Sequence, residues 1–281
     1  MNENVVSQAV MTKYAAYLRS EEKAESTIKN YLRDTLNFRQ WANERPITKD
    51  LTAQWRSGLL AQNYAPATVN AKIAAVNSLL QFMGLAECHV KAVNIQRCAF
   101  RDESRDLTKD EYLKLLETAQ NAGCERLELL MEAVCATGVR VSEVHYITVE
   151  AARMQRADIA LKGKIRSILL PQKLCRKLLK YAKRQNITSG AVFRTRSGKP
   201  VSRGQIWAEM KSLCKKAGVA ASKVFPHNLR HLFAVVYYKV HRDIVKLADL
   251  LGHSSINTTR IYLISTGKEH QRQMEKLGLV T

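Results

Sequence analysis

With 45 Lys and Arg against 25 Asp and Glu, the 281-residue chain carries a formal charge of +20, an excess that repels itself unless a polyanion neutralises it. The length leaves room for two ordinary domains, each with its own core. No run of about 18 apolar residues exists and the opening MNENVVSQAV has no signal-peptide pattern, so membrane insertion and secretion are set aside, and a cytoplasmic protein that binds nucleic acid is expected.

In chain order, the first hundred residues read as amphipathic helices. Ser7 to Arg19 sets Val10, Met11, Tyr14, Tyr17 and Leu18 along one stripe, and a second helix, capped by Ser26, carries Ile28, Tyr31, Leu32, Leu36 and Phe38. Pro46 ends that region. A third helix is expected from Lys49 to Ala61 and a fourth from Pro66 through Val69, Ile73, Val76, Leu79 and Leu80, since proline is tolerated in a first helical turn. These four form a bundle domain over residues 1–84. Periodicity is lost in AECHVKAVNIQRCAFRDESRD, and residues 85–103 read as a linker.

The second domain, residues 104–281, opens on Thr108 with Glu111 three residues later, the capping-box spacing. Helices dominate again except at Arg156 to Leu161 and Ile165 to Leu170, two short strand-like runs about Lys162-Gly163-Lys164 that read as a β-hairpin. The expected fold is therefore mainly α, a helical bundle followed by an α-rich domain with one small sheet. Six cysteines, Cys88, Cys98, Cys124, Cys135, Cys175 and Cys214, lack any C-x-x-C pair; several sit in apolar helical stretches, and all read as structural, without disulfide or zinc.

Acidic D-x-D clusters and a glycine-rich G-x-x-x-x-G-K-[ST] loop are both missing, which weighs against metal-assisted hydrolysis and nucleotide-driven motors. No metal or other cofactor is expected. What stands out is a set of Arg, Lys, His and Tyr residues. In A-T-G-V-R-V-S-E, Arg140 stands at a turn between helices, where a guanidinium can hold a phosphate bidentately, with Glu143 in reach to orient it; a surface ion pair is the plainer alternative. In P-H-N-L-R-H, His227 and Arg230 lie one turn apart near a helix N-terminus, with Leu229, Phe233, Val236 and Val240 facing the core and His231 read as structural. In L-L-G-H-S-S-I-N-T-T-R-I-Y, Gly252 ends one helix, Ser254 or Ser255 begins the next, and His253 falls between them. Tyr262 follows two turns later. A phenol of pKa near 10 needs neighbouring cations and donors to act as a nucleophile; taken singly, Tyr262 could equally be a packing residue.

The ordered set T-G-x-R-x-S-E, a basic hairpin, H-x-L-R-H and L-G-H-S-S-x-x-T-T-x-x-Y resembles the tyrosine recombinase, or phage-type integrase, family across the second domain. The first domain resembles that family's core-binding domain, and the compact chain is closest in pattern to Xer-like and transposon-resolvase members. The resemblance implies a site-specific recombinase in which Tyr262 forms a 3′-phosphotyrosyl bond and Arg140 and Arg230 hold the non-bridging oxygens. It further implies that Lys162 protonates the leaving oxygen, with Lys164 the neighbouring alternative, that His227 helps deprotonate Tyr262, that His253 donates to the phosphate, and that Glu143 supports the site from behind. Lys29, Arg33 and Lys72 are candidates for DNA-backbone contacts. Double-stranded DNA, a homotetramer in the synaptic complex and accessory DNA-bending proteins are the implied partners, with residues 268–279 a candidate segment for docking on a neighbour. Integration, excision, inversion and resolution all remain open. The competing readings are relaxation of supercoils by a type IB topoisomerase-like enzyme and a non-catalytic DNA-binding protein of the same fold.

Overall fold

The computed structural model describes residues 4–95, 103–161, 164–263, 271 and 274–279. The chain separates into two compact units, residues 1–97 and 98–281. The fold is mainly helical with one two-stranded sheet.

In the first unit, α1 (Gln8–Ser20), α2 (Glu25–Ala42), α3 (Lys49–Ala61) and α4 (Pro66–Phe82) enclose a core of Tyr14, Leu18, Phe38, Trp55, Val76, Leu79 and Leu80. Ser7 caps α1 and Thr48 caps α3 through their hydroxyls, satisfying N–H groups that the first turn leaves open. The expected cap of α2 differs. That helix starts two residues earlier, with Ala24 at the cap and Ser26 inside the first turn. Beyond Gly84 the chain stays on the bundle: Leu85, Cys88 and Val90 are buried, and the amides of Asn70 and Asn77 exchange paired hydrogen bonds with the backbone of Val93 and Val90 at 2.7–3.1 Å.

The second unit runs α5 (Lys109–Asn121), α6 (Glu125–Thr137), a 3₁₀ turn (Val141–Tyr146), α7 (Val149–Met154), β1 (Arg156–Leu161), β2 (Lys164–Leu169), α8 (Gln172–Arg184), α9 (Arg203–Ala217), α10 (Pro226–His241), α11 (Ile244–Leu251), α12 (Ile256–Arg260) and a final 3₁₀ turn (Ile261–Leu263). The capping box of Thr108 and Glu111 starts α5, an arrangement worth about 1 kcal/mol in helix stability. Helix α6 buries Leu127, Leu129, Leu130, Met131, Ala133 and Val134, apolar around most of its circumference, as suits a helix at the centre of a unit. It packs on α5, α8 and α10.

Two details of the packing bring the chemistry together. Gly138 ends α6 with φ +64°, and a Cβ there would lie 2.6 Å from the Phe233 ring and 2.9 Å from Leu251. Only glycine meets both demands, the left-handed backbone and the close approach, and Arg140 is thereby set beside α10 and α11. On α10, Leu229 is buried as expected, but Val236 and Val240 are exposed, Val240 by 69%. Spacings of four, three and four keep these residues on one face of the helix, so Val236 and Val240 are exposed because neighbouring elements stop covering that face toward its C-terminal end.

Candidate active site

Arg140 caps the 3₁₀ turn that follows α6, and its Nη1 donates to Glu143 Oε1 at 2.8 Å while its backbone N–H donates to Oε2 at 3.0 Å. Glu143 is only 2% exposed. A carboxylate so buried is tolerable only when paired, because an uncompensated desolvated charge is costly. The second cation on Glu143 is Arg166 of β2, whose Nη1 lies 3.2 Å from Oε2.

The C-terminal end of α11 is the structural centre of the site. Three successive carbonyls there each accept from a different guanidinium: Leu250 from Arg166 at 2.8 Å, Leu251 from Arg230 at 2.8 Å, and Gly252 from Arg140 at 3.0 Å. The last carbonyls of a helix have no partner within it and carry the negative end of its dipole, so they suit cations. Arg230 also donates to the Gly138 carbonyl. It is 3% exposed, and its pKa is lowered to about 10 by burial and by the nearby Arg140 charge, with a hydrogen bond to Tyr262 acting in the opposite direction. Charge is therefore concentrated: Arg140, Arg166 and Arg230 converge, and Glu143 pairs with the first two.

His253 sits in the connection between α11 and α12, its Nε2 2.8 Å from Arg230 Nη2 and its Nδ1 2.8 Å from Thr259 Oγ1. A guanidinium only donates, so Nε2 accepts and Nδ1–H donates to the threonine. Burial and the charges of Arg230, Arg140 and Arg166 lower the His253 pKa to about 4, which keeps the ring neutral at ordinary pH.

Tyr262 is 8% exposed and lies against Ala234, Leu247 and Leu251. Three imidazoles surround its ring, with centroids at 5.2 Å for His231, 5.8 Å for His253 and 5.9 Å for His227. His231 is buried, with Nε2 3.6 Å from Asp106 Oδ2, while His227, in the first turn of α10, is exposed. The structure thus brings together Arg140, Glu143, His227, Arg230, His253 and Tyr262. Lys162, with Gly163, lies outside the described residues, as do residues 268–270, 272 and 273 of the 268–279 segment. Of the three cations singled out in the first unit, Lys29 is exposed, whereas Arg33 and Lys72 both pair with buried Asp34, at 3.0 and 3.6 Å. Arg166 and the contact of His231 with Tyr262 are additions that the motif reading did not supply. Among the described residues, no group of three or more His, Cys, Asp or Glu side chains could hold a metal ion, and no helix is long and apolar enough to cross a membrane.

The family model described as "Phage integrase family" matches residues 105–269, and that described as "Phage integrase, N-terminal SAM-like domain" matches residues 11–86. Among curated proteins, the chain is similar to Tyrosine recombinase XerA of Pyrococcus furiosus, 28% identical over 288 residues that cover 100% of this chain and 98% of that protein. It is also similar to Tyrosine recombinase XerH of Campylobacter jejuni, 27% identical over 81% of this chain and 70% of that protein. Among solved structures, a lambda integrase dimer bound to a COC′ core site matches with a TM-score of 0.72 at 20% identity, covering 91% of this chain and 94% of that one. XerH bound to difH substrate in a pre-cleavage complex matches with a TM-score of 0.70 at 20% identity, covering 98% and 85%. At these identities the structural likeness shows a shared fold.

Proposed function

The chain belongs to the phage integrase family and is a tyrosine-type site-specific DNA recombinase, and from that premise we propose that the cluster around Tyr262 is its strand-cleaving centre. The observation that carries this reading is the convergence of Arg140, Arg230 and His253 on one side of a tyrosine whose hydroxyl is hydrogen-bonded to Arg230. In this reading Arg140 and Arg230 take the non-bridging oxygens of the scissile phosphate, stabilising the charge that builds on them as Tyr262 attacks. The Tyr262 Oη–P bond forms while the P–O5′ bond breaks. The phenolic proton leaves toward His227, and Lys162 delivers a proton to the departing 5′-oxygen. The phosphotyrosyl diester conserves the bond for rejoining, so neither ATP nor a metal enters the cycle.

Residues 1–84 serve in this proposal as a DNA-binding bundle, with Lys29 exposed on it and Arg33 and Lys72 flanking Asp34. Recombination of two duplexes calls for four protomers, assisted where the site demands it by DNA-bending proteins, on intracellular DNA. Cleavage of a suicide substrate is expected to proceed in excess EDTA without nucleotide. Because a +20 chain displaces counterions from DNA, binding should weaken steeply with rising salt. Cleavage lost on chelation and restored by magnesium would contradict the mechanism.

His253 makes a separate prediction. Its pKa is lowered in the free protein, so above about 4 the neutral ring prevails. A phosphate anion beside Arg140 and Arg230 offsets their charge, raises that pKa toward the ordinary value of about 6.5, and frees the ring to donate. At about pH 5, DNA binding should therefore take up a proton, by linkage of binding to titration. Calorimetry in two buffers of different ionisation enthalpy measures the uptake. His253→Gln should reduce it, and equal uptake in both proteins would remove His253 from that role.

A further inference from the structure

Arg166 occupies a position where the strand pattern calls for an apolar residue. In the β1–β2 register it pairs with Ile159 and lies two residues from Ile168, both buried on the inward face. Burial lowers its pKa, the Arg140 charge lowers it further, and its Nε is buried without a hydrogen-bond partner. A guanidinium placed there carries an evident stability cost.

Its remaining atoms show what the position does. Nη1 meets Glu143, which also holds Arg140, and Nη2 meets the Leu250 carbonyl two residues before Gly252 and three before His253. The side chain lies so tightly over Gly252 that a Cβ there would sit 2.3 Å from Arg166 Cδ. Arg166 is thus the tie between the hairpin, the Glu143–Arg140 pair and the turn that carries His253.

We propose that Arg166 is a positioning residue that aims Arg140 and the His253 turn at the scissile phosphate. It touches no substrate itself. The proposal rests on the reading of the Tyr262 cluster given above and extends it to a residue outside the family-like motifs. Without the Arg166 fork, Glu143 keeps one cation in place of two, and Arg140 loses the support that fixes its direction. Misplacement by about 1 Å can cost on the order of 10²-fold in rate.

The test compares wild type, Arg166→Met, which keeps the stem packing but removes the charge, and Arg166→Lys, which keeps the charge but not the fork. Single-turnover formation of the covalent complex is measured at saturating DNA, with Kd and Tm measured alongside. Arg166→Met is expected to slow cleavage about 10–100-fold with little change in Kd, and Arg166→Lys should recover part of the loss. Two readouts separate positioning from mere folding. A neutral methylphosphonate at the scissile position carries less charge for Arg140 to hold, so on it Arg166→Met should approach the wild-type rate. The double variant Arg140→Ala/Arg166→Met should be slower than Arg140→Ala by much less than Arg166→Met alone costs, because the two changes share the loss of Arg140 function. Wild-type cleavage rates in both Arg166 variants overturn the proposal, as does a loss that adds fully to that of Arg140→Ala or persists on the methylphosphonate. A lowered Tm with unchanged cleavage overturns it in favour of a structural role. If wild type itself forms no Tyr262-linked complex, the assignment of the catalytic centre fails instead.

Discussion

Tyr262→Phe is expected to abolish the covalent protein–DNA complex while leaving DNA binding in place. The substitution removes one oxygen. The ring still packs against Leu247, Leu251 and the three histidines, and Arg230 keeps its bonds to Gly138, Leu251 and His253. The lost hydrogen bond should lower stability by only about 1 kcal/mol, so the variant remains folded and basic. A denaturing gel of both proteins with a suicide substrate reads the outcome directly. A shifted band that persists in the variant would assign the nucleophile to another residue.

The second large effect belongs to the hairpin turn. Lys162→Ala is expected to slow cleavage of ordinary DNA by ~10²–10⁴-fold, the usual contribution of general acid catalysis, and Lys164→Ala far less. The same pair of variants on a substrate with a 5′-bridging sulfur isolates the proton transfer, since a thiolate leaves without protonation. Lys162→Ala should regain most of its rate there, while Arg140→Ala, which has lost phosphate stabilisation, stays slow. Rescue of Lys164→Ala instead would move the acid to that residue. Rescue of neither would make the hairpin a DNA-contact element.

The parts of the site that were legible in the sequence are those written in short, local chemistry. Arg140 stands at a turn between helices with Glu143 three residues on, so local spacing placed that turn and the ion pair. The placement of His253 between two helices followed from Gly252 and Ser255 in the same way. Arg166 was not legible. Its partners Glu143 and Leu250 are 23 and 84 residues away, and on a strand it reads only as a flaw in the alternation. The signal was nevertheless present in the hairpin register, which sets this charge opposite buried Ile159. His231 was read as a structural histidine, and its contact with Tyr262 depends on how the final 3₁₀ turn folds back on α10, which no local pattern encodes. The exposure of Val236 and Val240 has a similar cause, since periodicity finds an apolar face but does not say where the neighbouring helices stop covering it.

The most direct measurement is to locate the bond. The complex formed on a suicide substrate in EDTA is digested with protease and nuclease, and the nucleotide-bearing peptide is sequenced by mass spectrometry. The expected result is a 3′-phosphate ester on Tyr262 with a free 5′-hydroxyl on the released strand. A nucleotide carried by any other residue, a 5′-linked phosphate, or no adduct unless magnesium is supplied would contradict the assignment of this site.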